Sequence, residues 1–288
     1  MSQVPVPSHE SAPEGHRIES GVACANCHGP AEKWLLSHTR PDYPKDALAR
    51  LGMRQLGTAY QRANSCVACH QNLSDELMLA KHPALVFELD GLLVAEPKHW
   101  REEKEFSNAQ TWLVGQAVAL REAAAQAIRE PVDLHVRSIR TAEIEAIKAL
   151  LEVTDTGWDD SGKDLVRSAD EYAKRISGTP LNSEKSRAIL DRLIASRTSF
   201  QPDSFSQVDP KLRWWSVGYY TERLTLAVDR LNQPLVTNRR EGMIAKDFLN
   251  ELFDAAKPPE SFDSATVDDF LEKLDRVAKS QRSASHGR

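Results

Sequence analysis

The sequence predicts an all-α protein in two parts, and three observations predict it. From Asn108 to Ala278 apolar residues recur at the three- and four-residue spacing of one helical face. Alternation with a period of two, the mark of a half-buried strand, is absent. The stretch before Asn108 shows only short helical signals broken by Gly and Pro.

Taken in order, residues 1–20 read as a flexible lead-in with several Pro, Ser and Glu and little apolar content. Residues 21–105 form a Cys/His-rich segment with helical signals at Ala31–Ser37 and Ala47–Ala63. Residues 106–280 read as a bundle of six or seven helices. The first runs from Asn108 to Glu130, with Trp112, Leu113, Ala117, Leu120, Ala124 and Ile128 apolar and Pro131 as its stop. Thr141–Val153 follows, with Thr141 as the N-cap. Asp164–Ile176 ends before Gly178-Thr179-Pro180, and Asn182–Ser199 opens on a cap. Leu212–Leu231, Asn238–Ala256 and Ser264–Ala278 complete the set, and residues 281–288 read as a disordered tail.

The chain has 288 residues and a formal charge of −5. Residues 1–105 hold 11 basic and 14 acidic side chains, so the remaining 183 residues hold 26 and 28. No block is basic enough for nucleic-acid binding, which excludes that class. No run of eighteen apolar residues exists, so no transmembrane helix is expected.

All four cysteines lie in two CxxC pairs, each followed directly by histidine: Cys24-Ala25-Asn26-Cys27-His28 and Cys66-Val67-Ala68-Cys69-His70. Two thiols three residues apart on one helical turn reach the two vinyl groups on one porphyrin edge. The next histidine then swings under the iron as the proximal ligand. The competing readings are a four-thiolate zinc site and redox thiol pairs. The 38 residues between the pairs exceed the usual zinc-ribbon spacing of roughly 15–20, and neither reading calls for histidine after both pairs. Two covalently bound haem c groups (iron) are therefore expected, at Cys24, Cys27, Cys66 and Cys69, with His28 and His70 as axial ligands. The fold expectation becomes a haem-wrapping dihaem cytochrome c segment with little regular structure, followed by the helical bundle.

Each iron needs a sixth ligand or stays open to chemistry. His82 leads the candidates, because Pro83 fixes the backbone beside it. His38 follows, with a short helix from Ala31 carrying it away from its own haem. His99, His16, His9, Met53 and Met78 come next, while His135 and His286 read as surface or packing residues. Trp34, Phe87, Trp100, Phe106, Trp112, Trp214, Trp215, Tyr219 and Tyr220 read as core, with covering of haem faces as the alternative.

The runs Gly21–Ala31 with Trp34, Leu35 and His38, Arg62–His70, His82–Leu89 and Pro97–Trp100 together resemble the multihaem cytochromes c. The family in view includes the tetrahaem cytochrome that accepts electrons from hydroxylamine oxidoreductase. The resemblance covers residues 21–105 and reaches into Asn108–Ala117. It implies closely stacked haems, mostly bis-histidine ligation, and His38 as ligand to a neighbouring haem. Relatives commonly carry four or more CxxCH motifs, against two here; loss of a ligand supplied by the missing segment would leave one iron five-coordinate.

The functional expectation is a periplasmic, or otherwise extracytoplasmic, electron carrier acting between redox partner proteins through two closely spaced haems. Haem propionates add negative charge, which suits a partner with a basic docking face. The alternative is a haem enzyme or small-molecule sensor acting at an open sixth position, so enzyme status stays undecided. Met1–Ser11 lacks the basic and apolar regions of a signal peptide. Haem is attached to such motifs outside the cytoplasm, so the sequence is expected to be a mature chain, an expressed form without its leader, or a gene product with a misassigned start.

Overall fold

A computed structural model describes residues 24–80, 82, 89, 107–129, 133–160, 164–196, 201–237, 244, 246–257 and 259–285. The expected lead-in, and His9, His16, Phe87, His99, Trp100, Phe106 and His286, lie outside the described residues. The fold is all-α: among the described residues every regular element is an α-helix or a 3-10 turn. The chain forms two compact units, residues 1–56 and 57–288.

In the first unit, α1 (Cys24–His28) is a single turn. Gly29 ends it in the left-handed region, at φ +81, where a side chain would be strained. A run of turns over 32–39 replaces the expected helix at Ala31–Ser37. The Leu35 and His38 amides donate to the carbonyls of Ala31 and Trp34 (both 2.9 Å). Among the described residues of this unit, Trp34 (1% exposed) and Leu48, on α2 (Lys45–Arg50), are the buried apolar side chains. The Arg54 amide then donates to the His28 carbonyl (2.8 Å), tying residue 54 back to the end of α1.

The second unit opens with α3 (Ala59–His70), started by a capping box between Thr58 and Gln61. The expected helical run Ala47–Ala63 is thus two helices, α2 and α3, separated by residues 51–58 with Gly52 at φ +94. The short α4 (Asp75–Leu79) starts at the Ser74 cap. Next come α5 (Asn108–Ile128), α6 (Leu134–Thr154), α7 (Leu165–Ser177) and α8 (Ser183–Ala195). They are followed by α9 (Arg213–Thr237), α10 (Lys246–Ala255) and α11 (Ser264–Ser285). Asp164 and Asn182 cap α7 and α8 as expected. Thr141 is no cap. Asp133 accepts from the amides of His135 and Val136 and starts α6 eight residues earlier, while the Thr141 hydroxyl bonds back to the Arg137 carbonyl (3.0 Å). At the other end α11 continues to Ser285, through part of the stretch expected as tail.

Helix α5 is the axis of this unit. It is buried nearly all round from Ala109 to Ala124, as a helix must be when neighbours cover every face. Those neighbours are α3, α6, α7 and α9. Helix α3 therefore belongs to the bundle: Ala63 and Val67 are fully buried in the same apolar core as Leu113, Ala117 and Leu120. By contacts the chain divides after Leu56, which places the two CxxCH motifs in different units. The physical reason is that burial of this α3 face makes α3 a bundle helix.

Candidate haem sites

At the first motif, α1 carries Cys24, Cys27 and His28. The Cys27 thiol is partly buried and is not in a disulfide. His28 Nδ1 lies 3.2 Å from the Arg54 carbonyl. A carbonyl only accepts, so Nδ1 is the donor in this contact, and Nε2 is the ring nitrogen that would take a metal. His38 has the same arrangement, with Nδ1 2.5 Å from the Leu35 carbonyl. The edge-on ring of Trp34 touches both imidazoles, at 6.0 Å from His28 and 5.5 Å from His38 between centroids. The structure thus brings His28 and His38 against one indole. Beside them Leu35 and Leu36 stay exposed, Leu36 by 89%.

The second motif ends α3. Neither Cys66 nor Cys69 is in a disulfide; Cys69 is exposed, while Cys66 is partly buried and packs against the bundle core. His70 is exposed at the helix terminus and forms part of the wall of a recess with Gln71, Met78, Gln126, Arg140 and Glu143. Leu77 and Leu79 of α4 are exposed nearby in sequence, and the His82 amide donates to the Leu77 carbonyl (2.9 Å). His82 itself is exposed. Met78 turns its sulfur toward Arg140 Nη2 (3.8 Å), and Arg140 also pairs with Asp75 (2.6 Å) and donates to the Leu73 carbonyl (2.9 Å).

These residues suit a covalently held porphyrin. Each motif sets its two cysteines three residues apart on a helix, and each is followed by exposed leucines that a flat apolar ring would cover. Among the described residues, no three His, Cys, Asp or Glu side chains gather as a bare metal site requires. A haem iron needs only two protein ligands.

Sequence reasoning missed what lies behind the second motif. Two charged clusters buried in the bundle grip the residues just past His70. In one, Gln71 Nε2 donates to Glu143 of α6 (2.9 Å). Glu143 is paired with Arg223 of α9 (2.6 Å), which also donates to Gln116 of α5 (2.7 Å). In the other, Asn72 Nδ2 donates to Glu122 of α5 (2.7 Å), and Gln126 Nε2 donates to the Gln71 carbonyl (3.1 Å) and to the Asn72 side chain.

Glu122 is paired with Arg121 (2.6 Å), whose other arm reaches Asp170 of α7 (2.6 Å). Asp170 also accepts from Tyr60 of α3 (2.6 Å) and pairs with Lys174 (2.7 Å). Burial pushes the Asp170 carboxyl up, but hydrogen bonds from Lys174, Tyr60 and Arg121 overcome it and hold the pKa down at about 2. Pairs separated by 49 to 80 residues leave no periodic or motif signal in the chain.

No protein-family model, no curated protein and no solved structure matches this chain. Among the described residues no helix is long and apolar enough to cross a membrane.

Proposed function

We propose that this protein is a c-type cytochrome that carries two covalently attached haems and passes electrons between redox partner proteins outside the cytoplasm. Cys24, Cys27, Cys66 and Cys69 would hold the porphyrins through thioether links to their vinyl groups. His28 and His70 would serve as the proximal ligands, and His38 and His82 as the distal ones. When bound, the haems supply one-electron chemistry at iron. The chain's own groups orient the ligands. The Arg54 carbonyl holds the His28 proton on Nδ1, and the Leu35 carbonyl does the same for His38.

The observation that supports the reading is the presence of two CxxCH motifs, the first with its histidine Nδ1 3.2 Å from the Arg54 carbonyl. The test is production of the full chain with haem-maturation machinery, followed by pyridine haemochrome quantification and oxidised and reduced spectra. Two haems per chain, low-spin and unmoved by carbon monoxide, are the expected result. Replacing Cys66 and Cys69 by serine should leave one. A carbon monoxide shift on one haem would favour the small-molecule alternative. A colourless chain that binds zinc would refute the reading.

A further inference from the structure

We propose that Glu143 and Arg223 are positioning residues for His70, acting through Gln71. The proposal rests on the haem reading of the second motif. Gln71 follows the proximal histidine directly, and its side chain donates to Glu143 Oε1 (2.9 Å). Glu143 is in turn held by Arg223, which is 0% exposed.

Stability is a poor reason for this pair. Removing two charges from water costs several kcal/mol each, roughly what their attraction returns, and an apolar replacement is often as stable. This pair is also imperfectly satisfied, because Arg223 Nε has no partner. What it does provide is one fixed geometry. Helices α5 and α6 bond Gln71 directly, through Gln126 and Glu143, and Arg223 of α9 holds Glu143 in place behind it. Glu143 and His70 moreover line the same recess, so the carboxylate lies close enough for its field to act on that ligand.

Two consequences separate orientation from field. Glu143→Gln keeps an acceptor oxygen for Gln71 but removes the charge, leaving Arg223 without its counter-ion. A positive charge favours the reduced iron, so the midpoint potential of the second haem rises while its ligand geometry stays. Glu143→Ala removes the acceptor as well, so His70 loses its brace.

The measurement is a redox titration with electron paramagnetic resonance on the full haem-loaded chain. The first haem, held by the other compact unit, is an internal control. The second haem is identified as the one lost in the Cys66→Ser/Cys69→Ser variant. Glu143→Gln is expected to raise the potential of the second haem alone, with its g-values as in wild type. Glu143→Ala is expected to change both its potential and its g-values. Both haems unchanged in both variants, or both haems changed alike, would overturn the proposal. A wild-type chain with no pyridine haemochrome would instead sink the haem reading beneath it. Circular dichroism melts of the variants separate a positioning effect from a misfolded bundle.

Discussion

Asp170 is the most exacting place to test the reasoning about the bundle. It collects Arg121 from α5, Tyr60 from α3 and Lys174 from its own helix α7, at 2.6, 2.6 and 2.7 Å. It therefore ties the helix of the second motif to the bundle axis. Its pKa falls from 3.8 to about 2 on folding. At about 1.4 kcal/mol per unit, the ionised carboxylate contributes on the order of 2 kcal/mol at neutral pH. Asp170→Asn should remove most of it and lower the melting temperature by roughly 5–10 °C, given about 2–4 °C per kcal/mol in a domain of this size.

The sign of the pH dependence follows. The folded pKa is depressed, so the contribution is complete well above 3.8 and is lost as pH falls through about 2. About half of it should be gone near pH 3. The assay is urea unfolding of wild type and variant between pH 7 and pH 3. The difference between them should shrink by about 1 kcal/mol over that interval. A difference that stays constant with pH, or one below about 0.5 kcal/mol at pH 7, would refute the argument that these partners hold the carboxylate ionised.

Two further substitutions probe the packing and capping claims. Gly218 on α9 sits so close to the 3-10 turn at 259–261 that an added Cβ would lie 2.6 Å from the Pro259 Cα. Gly218→Ala should therefore cost about 1–3 kcal/mol of the kind expected from overpacking, read as a lower urea midpoint with an unchanged slope. A neutral or stabilising result would show that the turn moves away freely. Asn182 accepts from the Lys185 amide (2.9 Å) to start α8. Asn182→Ala should cost about 1 kcal/mol, with Asn182→Ser recovering most of it; equal stability of the two variants would deny the cap.

Much of this molecule was legible in the chain because it depends on neighbours in sequence. The two CxxCH motifs are local chemistry. So are the caps at Asp164 and Asn182, whose side chains bond to amides two or three residues ahead. The bundle helices, α5 among them, stood out because apolar residues recur along one face of each. Local signals also misled. Thr141 has the chemistry of a cap, yet Asp133 bonds two amides and propagation from there carries α6 straight through it. Ala31–Ser37 has helical composition, but its amides are spent in a run of turns around Trp34.

Relationships across long separations were hidden. Nothing in residues 57–70 announces that α3 packs on α5, because Ala63 and Val67 are unremarkable until a facing surface exists to bury them. Gln71, Glu143 and Arg223 are three ordinary polar residues in the sequence, separated by 72 and 80 positions. Only the chain's path through space brings them together. Local spacing and propensity therefore determined the two CxxCH motifs and most of the helices. The packing of the bundle decided which unit holds the second motif and which buried charges stand behind His70, because those contacts exist only after the core has closed.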